Sequence, residues 1–466
     1  MYVIEKLAAF ADKTRGMALP EEVVNEVKRL LLDSLACSYA ALTVHKGKLA
    51  LRAGQASGTP EATVFGGGKL SLASAAFVNG ELINAIDFDA CLIPPGHITP
   101  YVLPSILALA ESTHADGQSV IAALAVAHEV SVRFGRSTAN YRDVTPGQKN
   151  AFPPVSGFSC AALGGTLGAS QLLKLDAGIM ASAVGLAGRM APAQSLSQWA
   201  RSRPATDDKY LLSGWMSQTI LQAVHLAECG YRGDLGLLDG DHGFFRFMGI
   251  SKWDTNVMVS GLGDEWQFPK WTIYKPYPTC RISQTALQCL EILIRENNLR
   301  PDEIDHVKVQ CDPHAASLPL WYSREIESEI EAQMNVPYAV AMVALGFKSG
   351  PEWHDDAAMN DPRVREFMQR VTVASHPHFE EVLKEDSQAR IGSAEVHARG
   401  KRFTHELRYR KGSPATDASR MTDDELTDKF HHCASRVLSE ERARRVADTV
   451  WNLEKLQDLT RLAQIW

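Results

Sequence analysis

The sequence predicts a mainly α-helical fold with a smaller α+β domain: a large, bundle-like helical domain that carries an inserted lid domain. Apolar residues recur at helical spacing over the first half of the chain, whereas the period-two alternation of strands begins only after residue 266. After Gly412 the pattern becomes helical again. We therefore predict a helical domain at 1–266, an α+β lid at 267–411 and a C-terminal segment at 412–466 that returns to the helices.

The helices of the first half are predicted from start signals and apolar spacing. Residues 20–22 (Pro-Glu-Glu) are typical of a first helical turn, and valines and leucines follow at helical spacing. Ser119 is predicted to cap a helix over 120–130. Segments 160–173 and 177–191 are dominated by glycine and alanine. Because small residues let helix axes approach closely, we expect both to be buried central helices.

Segments of the second half alternate with a period of two and are predicted to be strands: 304–311, 369–375 and the two arms of 393–409. The two arms flank Gly400 and are predicted to form a hairpin. Helical spacing at 283–296 and 335–346 makes this part α+β. Residues 422–425 (Thr-Asp-Asp-Glu) are a capping-box signature at the start of a later helix.

The composition of the 466-residue chain argues against several classes of protein. Lys and Arg number 48 and Asp and Glu 55, so the net charge is −7, and a mildly acidic chain is not expected to bind nucleic acid. We find no apolar run long enough for a membrane span and no signal peptide, which predicts a soluble cytoplasmic protein without a membrane partner. The eight cysteines form no Cys-x-x-Cys pair, so neither a zinc ribbon nor a disulfide framework is expected.

One strongly polar loop interrupts the helical half. Residues 84–97 read NAIDFDACLIPPGH and separate two apolar helical runs. Asp87, Asp89 and His97 are candidate acid/base groups, with Cys91 as a small polar wall. A helix end capped by Asp, followed by a surface histidine, is the alternative interpretation. A metal site is not predicted, because no second histidine cluster accompanies the loop.

Two further segments place lysine at the edge of apolar stretches. Lys209 precedes an apolar helix at 215–228, and Lys275 lies in the turn 274–281 (YKPYPTCR), which also holds Arg281. A solvated lysine and a domain linker are the alternatives. Such cationic turns suit an anionic ligand, and with the acidic loop they predict a small anionic substrate between domains. No glycine-rich phosphate motif follows a strand, so no nucleotide cofactor is predicted.

These segments resemble, in the same order, the motifs of the MmgE/PrpD superfamily, which includes 2-methylcitrate dehydratase, cis-aconitate decarboxylase and iminodisuccinate epimerase. The resemblance covers nearly the whole chain. The matching motifs are the Asp-Phe-Asp loop that ends in a histidine (87–97), the glycine-rich helix (165–168), Lys209 ahead of Gly214, the Lys-Pro-Tyr-Pro turn (275–278) and the helix start NVPYAVA (335–341). Each motif is short, but five in the right order are a specific match.

The resemblance implies chemistry without metal or cofactor in an interdomain cleft, a small polycarboxylate substrate and a homodimer. Family reactions remove a proton, water or carbon dioxide at a carbon flanked by carboxylates. The implied catalytic residues are Asp87, His97, Lys209 and Lys275. The two lysines are expected to hold substrate carboxylates. The candidate substrate-binding residues are Cys91, Ser159, Arg281 and Tyr322.

The sequence departs from the family pattern at two places. Ser159 stands where the family commonly has a histidine, and Asp89-Ala90-Cys91 replaces Asp-Asp-Thr. Because serine cannot titrate near neutral pH, His97 is expected to transfer protons alone, with Asp87 as its neighbour and a pKa of about 6.5 if unperturbed.

The predicted function is that of a cofactor-independent lyase. We expect a carbon–oxygen lyase (hydro-lyase) of the 2-methylcitrate dehydratase type, which removes water from a citrate-like or other small hydroxy-polycarboxylate by proton abstraction. The alternatives are an epimerase or decarboxylase of a related di- or tricarboxylate, and a non-catalytic family member that binds a carboxylate.

Overall fold

The computed structural model describes residues 1–55, 58–138, 157–193, 196–209, 211–250 and 253–466. Over these ranges the chain is mainly helical, with short strands and one larger sheet in its second half. This confirms the predicted fold class, a mainly α protein with a smaller α+β domain. In the same ranges, no helix is long and apolar enough to cross a membrane.

The described helices of the first part are α1 (Val3–Thr14), α2 (Glu21–Ala41), α3 (His45–Gly54), α4 (Leu72–Asn84), α5 (Thr99–Ser112), α6 (Gly117–Ser137), α7 (Ala161–Leu172), α8 (Ala177–Met190), α9 (Leu196–Trp199), α10 (Ser213–Glu228), α11 (Phe244–Phe247), α12 (Thr255–Val259) and α13 (Phe268–Trp271). Helix α7 is buried along its length and packs against α5, α6, α8 and α10. A Cβ added at Gly164 or Gly168 would lie 2.3 Å from a carbonyl oxygen of α6. The predicted close packing of this glycine-rich segment is confirmed.

The cap predicted for α6 is wrong by one turn. The side chain of Asp116 accepts a hydrogen bond from the backbone N–H of Ser119 at 2.7 Å, and the helix begins at Gly117. Asp116 precedes the first turn, where a carboxylate satisfies a free N–H and lies at the positive end of the helix dipole.

The strands are β1 (Ala62–Thr63), β2 (Lys69–Leu70), β3 (Cys91–Leu92), β4 (Thr272–Ile273), β5 (Ile304–Cys311), β6 (Val371–Ser375), β7 (Gly392–Ala398) and β8 (Lys401–Leu407). The larger sheet has the order β6-β5-β7-β8. Strand β5 runs parallel to β6 and antiparallel to β7, and β7 and β8 form the predicted hairpin. Gly400 in its turn has φ +67°, a left-handed conformation that suits glycine. These strands confirm the period-two predictions.

The helices beside and after this sheet are α14 (Gln284–Asn297), α15 (Pro319–Tyr322), α16 (Glu329–Met334), α17 (Val336–Ala344), α18 (Asp356–Met359), α19 (Pro362–Met368), α20 (Phe379–Glu385), α21 (Asp423–Ala434), α22 (Glu440–Trp451) and α23 (Thr460–Ala463). Helix α14 packs on β7 and β8. Helix α21 begins with the predicted capping box of Thr422 and Glu425 and packs against α2. The domain boundaries at 266 and 411 stay a prediction.

A short pairing between distant segments positions the polar loop. Strand β3 pairs with β4, so that Cys91 lies opposite Ile273. The N–H of Ile93 extends the pairing by donating to the carbonyl of Trp271 at 3.1 Å. Lys275 follows β4 by two residues, and the pairing therefore brings its turn beside the loop of residues 84–97.

Candidate active site

A buried carboxylate joins the two lysines singled out in the sequence. Asp87 is 1% exposed, and its two carboxylate oxygens accept from Nζ of Lys209 at 3.0 Å and from Nζ of Lys275 at 2.9 Å. Lys275 also donates to the carbonyl oxygen of Asp87 at 2.6 Å, and Lys209 donates to that of Asn84 at 2.8 Å. Both ammonium groups are thereby fixed on the loop that follows α4.

The backbone is strained at both ends of one of these ion pairs. Asp87 has φ +54° and Lys209 has φ +51°, in the left-handed region that residues with a Cβ seldom adopt. Such a conformation costs of order 1–3 kcal/mol and persists only where surrounding contacts impose it. Strain of this kind clusters at functional sites, which supports the assignment of Asp87 and Lys209 to one.

His97 lies in the same cluster and is held by a second carboxylate. Its Nδ1 is 2.6 Å from a carboxylate oxygen of Asp89, and Asn84 donates to the other oxygen of Asp89 at 3.0 Å. The ring of Phe158 meets the imidazole edge-on at 5.6 Å between centroids. Nε2 of His97 lies 3.6 Å from Asp87. The structure thus places Asp89, rather than Asp87, as the neighbour that orients His97.

The charges of this cluster hold His97 in its protonated form. Burial alone lowers the pKa of His97, but the Asp89 carboxylate and Cys91 outweigh it and raise the pKa to about 9. For Asp89, burial raises the pKa and the imidazolium lowers it more, so this carboxyl stays ionised. The pKa of His97 lies above the value of about 6.5 for an unperturbed imidazole, because a buried carboxylate faces the ring. At neutral pH His97 can donate a proton but cannot accept one.

Cys91 completes this group from β3, the short strand within the same loop. Its Sγ lies 3.6 Å from Nε2 of His97 and is fully buried. Burial raises the pKa of the thiol, but the positive charges of His97 and Lys275 outweigh that effect and lower it. The structure thus places Cys91 against His97, and its role as a polar wall of the substrate site stays a prediction.

The two lysines differ in how firmly they keep their protons. Burial lowers the pKa of both, but for Lys275 the attraction of Asp87, Cys91 and Asp89 is larger and the pKa is raised. For Lys209 burial, reinforced by the charge of Lys275, outweighs the attraction of Asp87 and the pKa is lowered. Lys275 is therefore the permanent cation of the pair, and Lys209 is the amine that more readily becomes neutral.

An ion pair behind the loop was missed in the sequence. Lys429 of α21 binds Asp33 of α2 at 2.7 Å and donates to the carbonyl oxygens of Phe88 at 2.8 Å and Lys275 at 3.2 Å. The other oxygen of Asp33 accepts from the N–H of Ala90 at 2.9 Å. The available signal was a charged residue within the apolar face of helix α2.

The remaining predicted substrate-binding residues, Ser159, Arg281 and Tyr322, differ in their burial and surroundings. Ser159 is buried beside Phe158, and its hydroxyl donates to the carbonyl of Pro192 at 2.6 Å. Arg281 is half-buried and follows Cys280, whose pKa is raised by burial and by the charge of Asp87. Tyr322 is 43% exposed and lines a surface depression with Arg324, so the structure does not bring it into the buried cluster. The binding roles of these residues stay predictions.

Asp87, Asp89 and His97 have the spacing of a possible metal site. One ligand atom from each lies within 4.8 Å of the others. Both carboxylate oxygens of Asp87, however, already accept from ammonium groups, and Nδ1 of His97 contacts Asp89. A divalent cation would face two lysines and an imidazolium, so these residues do not fit one while they are protonated. The expectation of chemistry without metal or cofactor stays a prediction.

Comparison with known proteins gives matches along nearly the whole chain. The family model described as "MmgE/PrpD N-terminal domain" matches residues 5–255, and that described as "MmgE/PrpD C-terminal domain" matches residues 277–455. A human protein named cis-aconitate decarboxylase is 26% identical over 478 residues, which cover 98% of this chain and 93% of the human one. Proteins of the same name from Aspergillus terreus and Mus musculus are each 25% identical, over 500 and 483 residues, with 99% of this chain covered and 95% and 93% of theirs.

Proposed function

Because the chain belongs to the MmgE/PrpD family, we propose that it is a cofactor-independent lyase that removes water from a small hydroxy-polycarboxylate. One observation carries the proposal: a protonated imidazole and two lysine ammonium groups meet around Asp87 in a single buried cluster. Such a cluster can bind carboxylates and transfer protons at the same place.

The cationic side of the cluster accounts for binding of an anionic substrate. His97, Lys209 and Lys275 place up to three cationic groups around Asp87 and Asp89, and these groups favour the binding of an anionic substrate. A substrate carboxylate competes with Asp87 for the ammonium groups, and Lys275, with its raised pKa, remains charged throughout. Since Asp87, His97 and the lysines are at most 3% exposed, entry of a substrate requires a movement of segments that cover the cluster.

Elimination of water needs a base at the carbon next to a carboxylate and an acid at the leaving hydroxyl. His97 is the acid: its pKa of about 9 keeps it protonated, and with Nδ1 against Asp89 its Nε2 faces Asp87 and Cys91. Lys209 is the proposed base in its neutral form, which it reaches more readily than Lys275 because burial lowers its pKa. Its amine takes the carbon-bound proton, the C–O bond breaks, and His97 protonates the departing oxygen. Solvent then restores both protonation states. An acid whose pKa is raised, His97, and a base whose pKa is lowered, Lys209, together form an arrangement suited to acid–base catalysis.

Decarboxylation is the second candidate, and the names of the similar proteins favour it. Loss of carbon dioxide needs a cation to hold the remaining carboxylates and an acid to protonate the carbon, but no base. Lys275 and His97 could supply these two functions. Ser159, at the place of the family histidine, offers no second titrating group. The homodimer and the cytoplasmic location are also part of the proposal, and sedimentation of the pure protein tests the first.

The reactions are distinguished by incubating the protein with di- and tricarboxylates in deuterated water and following carbon and proton signals by NMR. An alkene formed without loss of carbon supports the hydro-lyase. Release of carbon dioxide supports the second candidate and overturns the first. Exchange of a carbon-bound proton without a new bond indicates an epimerase, and binding without reaction indicates a non-catalytic family member. His97→Gln is the matched control, because it removes the acid without adding charge.

A further inference from the structure

A second buried histidine lies against the turn of Lys275. His354 ends the short 3₁₀ turn Pro351–His354 and is 3% exposed. Its Nε2 lies 3.0 Å from the carbonyl oxygen of Pro278. Because a carbonyl can only accept, Nε2 carries the ring proton and Nδ1 has a lone pair. Burial, reinforced by the charge of Lys209, lowers the pKa of His354 to about 4, so the ring is neutral at physiological pH.

Nδ1 of His354 is a buried acceptor without a donor. Over the described parts of the chain, no hydrogen-bonding group reaches this atom. A buried polar atom left in this state costs about 1–3 kcal/mol, and the great majority of such atoms in native proteins are paired. An unpaired acceptor beside a candidate active site therefore points to a donor on a ligand.

Gln333 presents a second acceptor of the same kind. Its Nε2 donates to the carbonyl of Ala85 at 2.6 Å and lies 3.3 Å from a carboxylate oxygen of Glu329. Because both neighbours of Nε2 are acceptors, the amide nitrogen must face them, and Oε1 points away from Ala85 and Glu329. Oε1 is also buried, and the described residues offer it no donor.

Both side chains belong to the wall of the candidate site. His354 holds the turn of Lys275 at Pro278, and the backbone carbonyl of Gln333 accepts from Oγ1 of Thr279 at 2.7 Å and from the N–H of Cys280 at 2.8 Å. Ala85, which Gln333 contacts, precedes Asp87 by two residues. The charges of Lys209 and Asp87 act on the His354 ring, which therefore lies within their electrostatic range.

We propose that Nδ1 of His354 accepts the hydroxyl group of the substrate, with Oε1 of Gln333 as a second acceptor, and that these atoms select hydroxy-polycarboxylates. This inference rests on the proposed function. His97, Lys209 and Lys275 offer only donors when protonated, which suit carboxylate oxygens, whereas an O–H group needs an acceptor. A site built to accept from a substrate hydroxyl discriminates strongly against the analogue that lacks it, because the acceptor is then left unpaired.

Citrate and propane-1,2,3-tricarboxylate are the probes, because they differ only in the hydroxyl group. Calorimetry measures the ratio of their dissociation constants without requiring turnover. We expect wild-type protein to bind citrate about tenfold more tightly or better, as one satisfied buried acceptor allows. Equal affinities would overturn the inference while leaving the lyase proposal open. A clear preference for citrate without any turnover would support the inference and contradict the proposed function.

Two substitutions separate substrate contact from support of the turn. In His354→Gln the amide nitrogen replaces Nε2 and can still donate to Pro278, but the acceptor at Nδ1 is lost. In His354→Asn the amide oxygen replaces Nδ1 and the donor to Pro278 is lost. We expect His354→Gln to abolish the preference for citrate and His354→Asn to keep it, with a lower Tm. The opposite pattern would show that His354 only supports the turn. His306→Gln, in β5 of the sheet, is the matched control.

Discussion

Nδ1 of His97 and a carboxylate oxygen of Asp89 lie 2.6 Å apart, in a contact that is almost completely buried. The carboxylate fixes the ring and leaves Nε2 toward Asp87 and Cys91. It also keeps the imidazole protonated, with a pKa of about 9. Asp89 therefore orients the acid of the proposed reaction and keeps it protonated. The sequence had suggested Asp87, two positions earlier, as the neighbour of His97.

Replacing Asp89 by Asn is expected to move the alkaline limb of the pH profile of kcat/KM to lower pH. The amide keeps the shape of the side chain but not the negative charge that raises the His97 pKa from its ordinary value to about 9. The value of kcat/KM should then begin to fall at a pH that is lower by one unit or more. A shift of one pKa unit corresponds to about 1.4 kcal/mol of interaction with the lost charge. NMR titration of His97 checks the same shift. Asp305→Asn, on the exposed side of β5, should leave the profile unchanged. An unmoved limb would show that another group titrates.

His97→Gln should lower kcat by about a hundredfold or more, the usual contribution of a positioned general acid. Ser159→Ala should matter far less, because the serine hydroxyl donates to the carbonyl of Pro192 and such a bond contributes about 0.5–1.5 kcal/mol. Steady-state kinetics of both variants at the same pH makes the comparison. If Ser159→Ala were as damaging as His97→Gln, serine would have to act directly in the reaction.

Lys275→Met should abolish substrate binding and also lower stability, because it leaves the Asp87 carboxylate buried with only one ammonium partner. Breaking a buried ion pair from one side costs about 3–5 kcal/mol, less here since Lys209 remains. The double variant Asp87→Asn with Lys275→Met should regain stability but not activity. Urea unfolding of the two single variants and the double variant measures the coupling. A double variant as unstable as Lys275→Met would exclude Asp87 as the charge left unpaired.

Stability should fall as the pH rises from about 6.5 to 9. The folded-state pKa of His97 is about 9, above the value of 6.5 expected for the unfolded chain. The stability from its protonation is therefore fully present below pH 6.5 and is lost as the pH rises through 9, with a magnitude on the order of 3 kcal/mol. Urea unfolding at pH 6 and pH 9.5 measures it. His97→Gln should show a smaller difference between the two pH values, and an equal difference would assign the effect to another group.

Local patterns in the sequence were sufficient for the fold class and for most helices and strands of residues 267–411. Strand β5 has the bounds predicted from its alternation, and the hairpin of β7 and β8 turns at Gly400 as expected. The capping box at Thr422 also forms where it was predicted. Periodicity and capping depend on residues a few positions apart, and a short window of sequence therefore contains them.

The candidate site could be predicted only in part. Its ionisable residues were visible because polar groups and prolines interrupt apolar runs at 84–97 and 274–281. The partner of His97 could not be identified from the sequence. Asp87 and Asp89 lie on the same short loop, and only the conformation of that loop decides which carboxylate faces the ring. The pKa values of these groups could not be predicted from the sequence either, because they depend on burial and on charges from other segments.

The kinds of side chain at the candidate site could be identified from the sequence alone: carboxylates, an imidazole and lysines, at positions typical of one family. The tertiary structure decided how they are joined. The pairing of β3 with β4 sets Lys275 against Asp87, the contact of α21 with α2 sets Lys429 against Asp33, and the turn of Pro351–His354 brings a neutral histidine to Pro278. Each contact joins residues far apart in the chain, and such contacts form only when the whole fold packs.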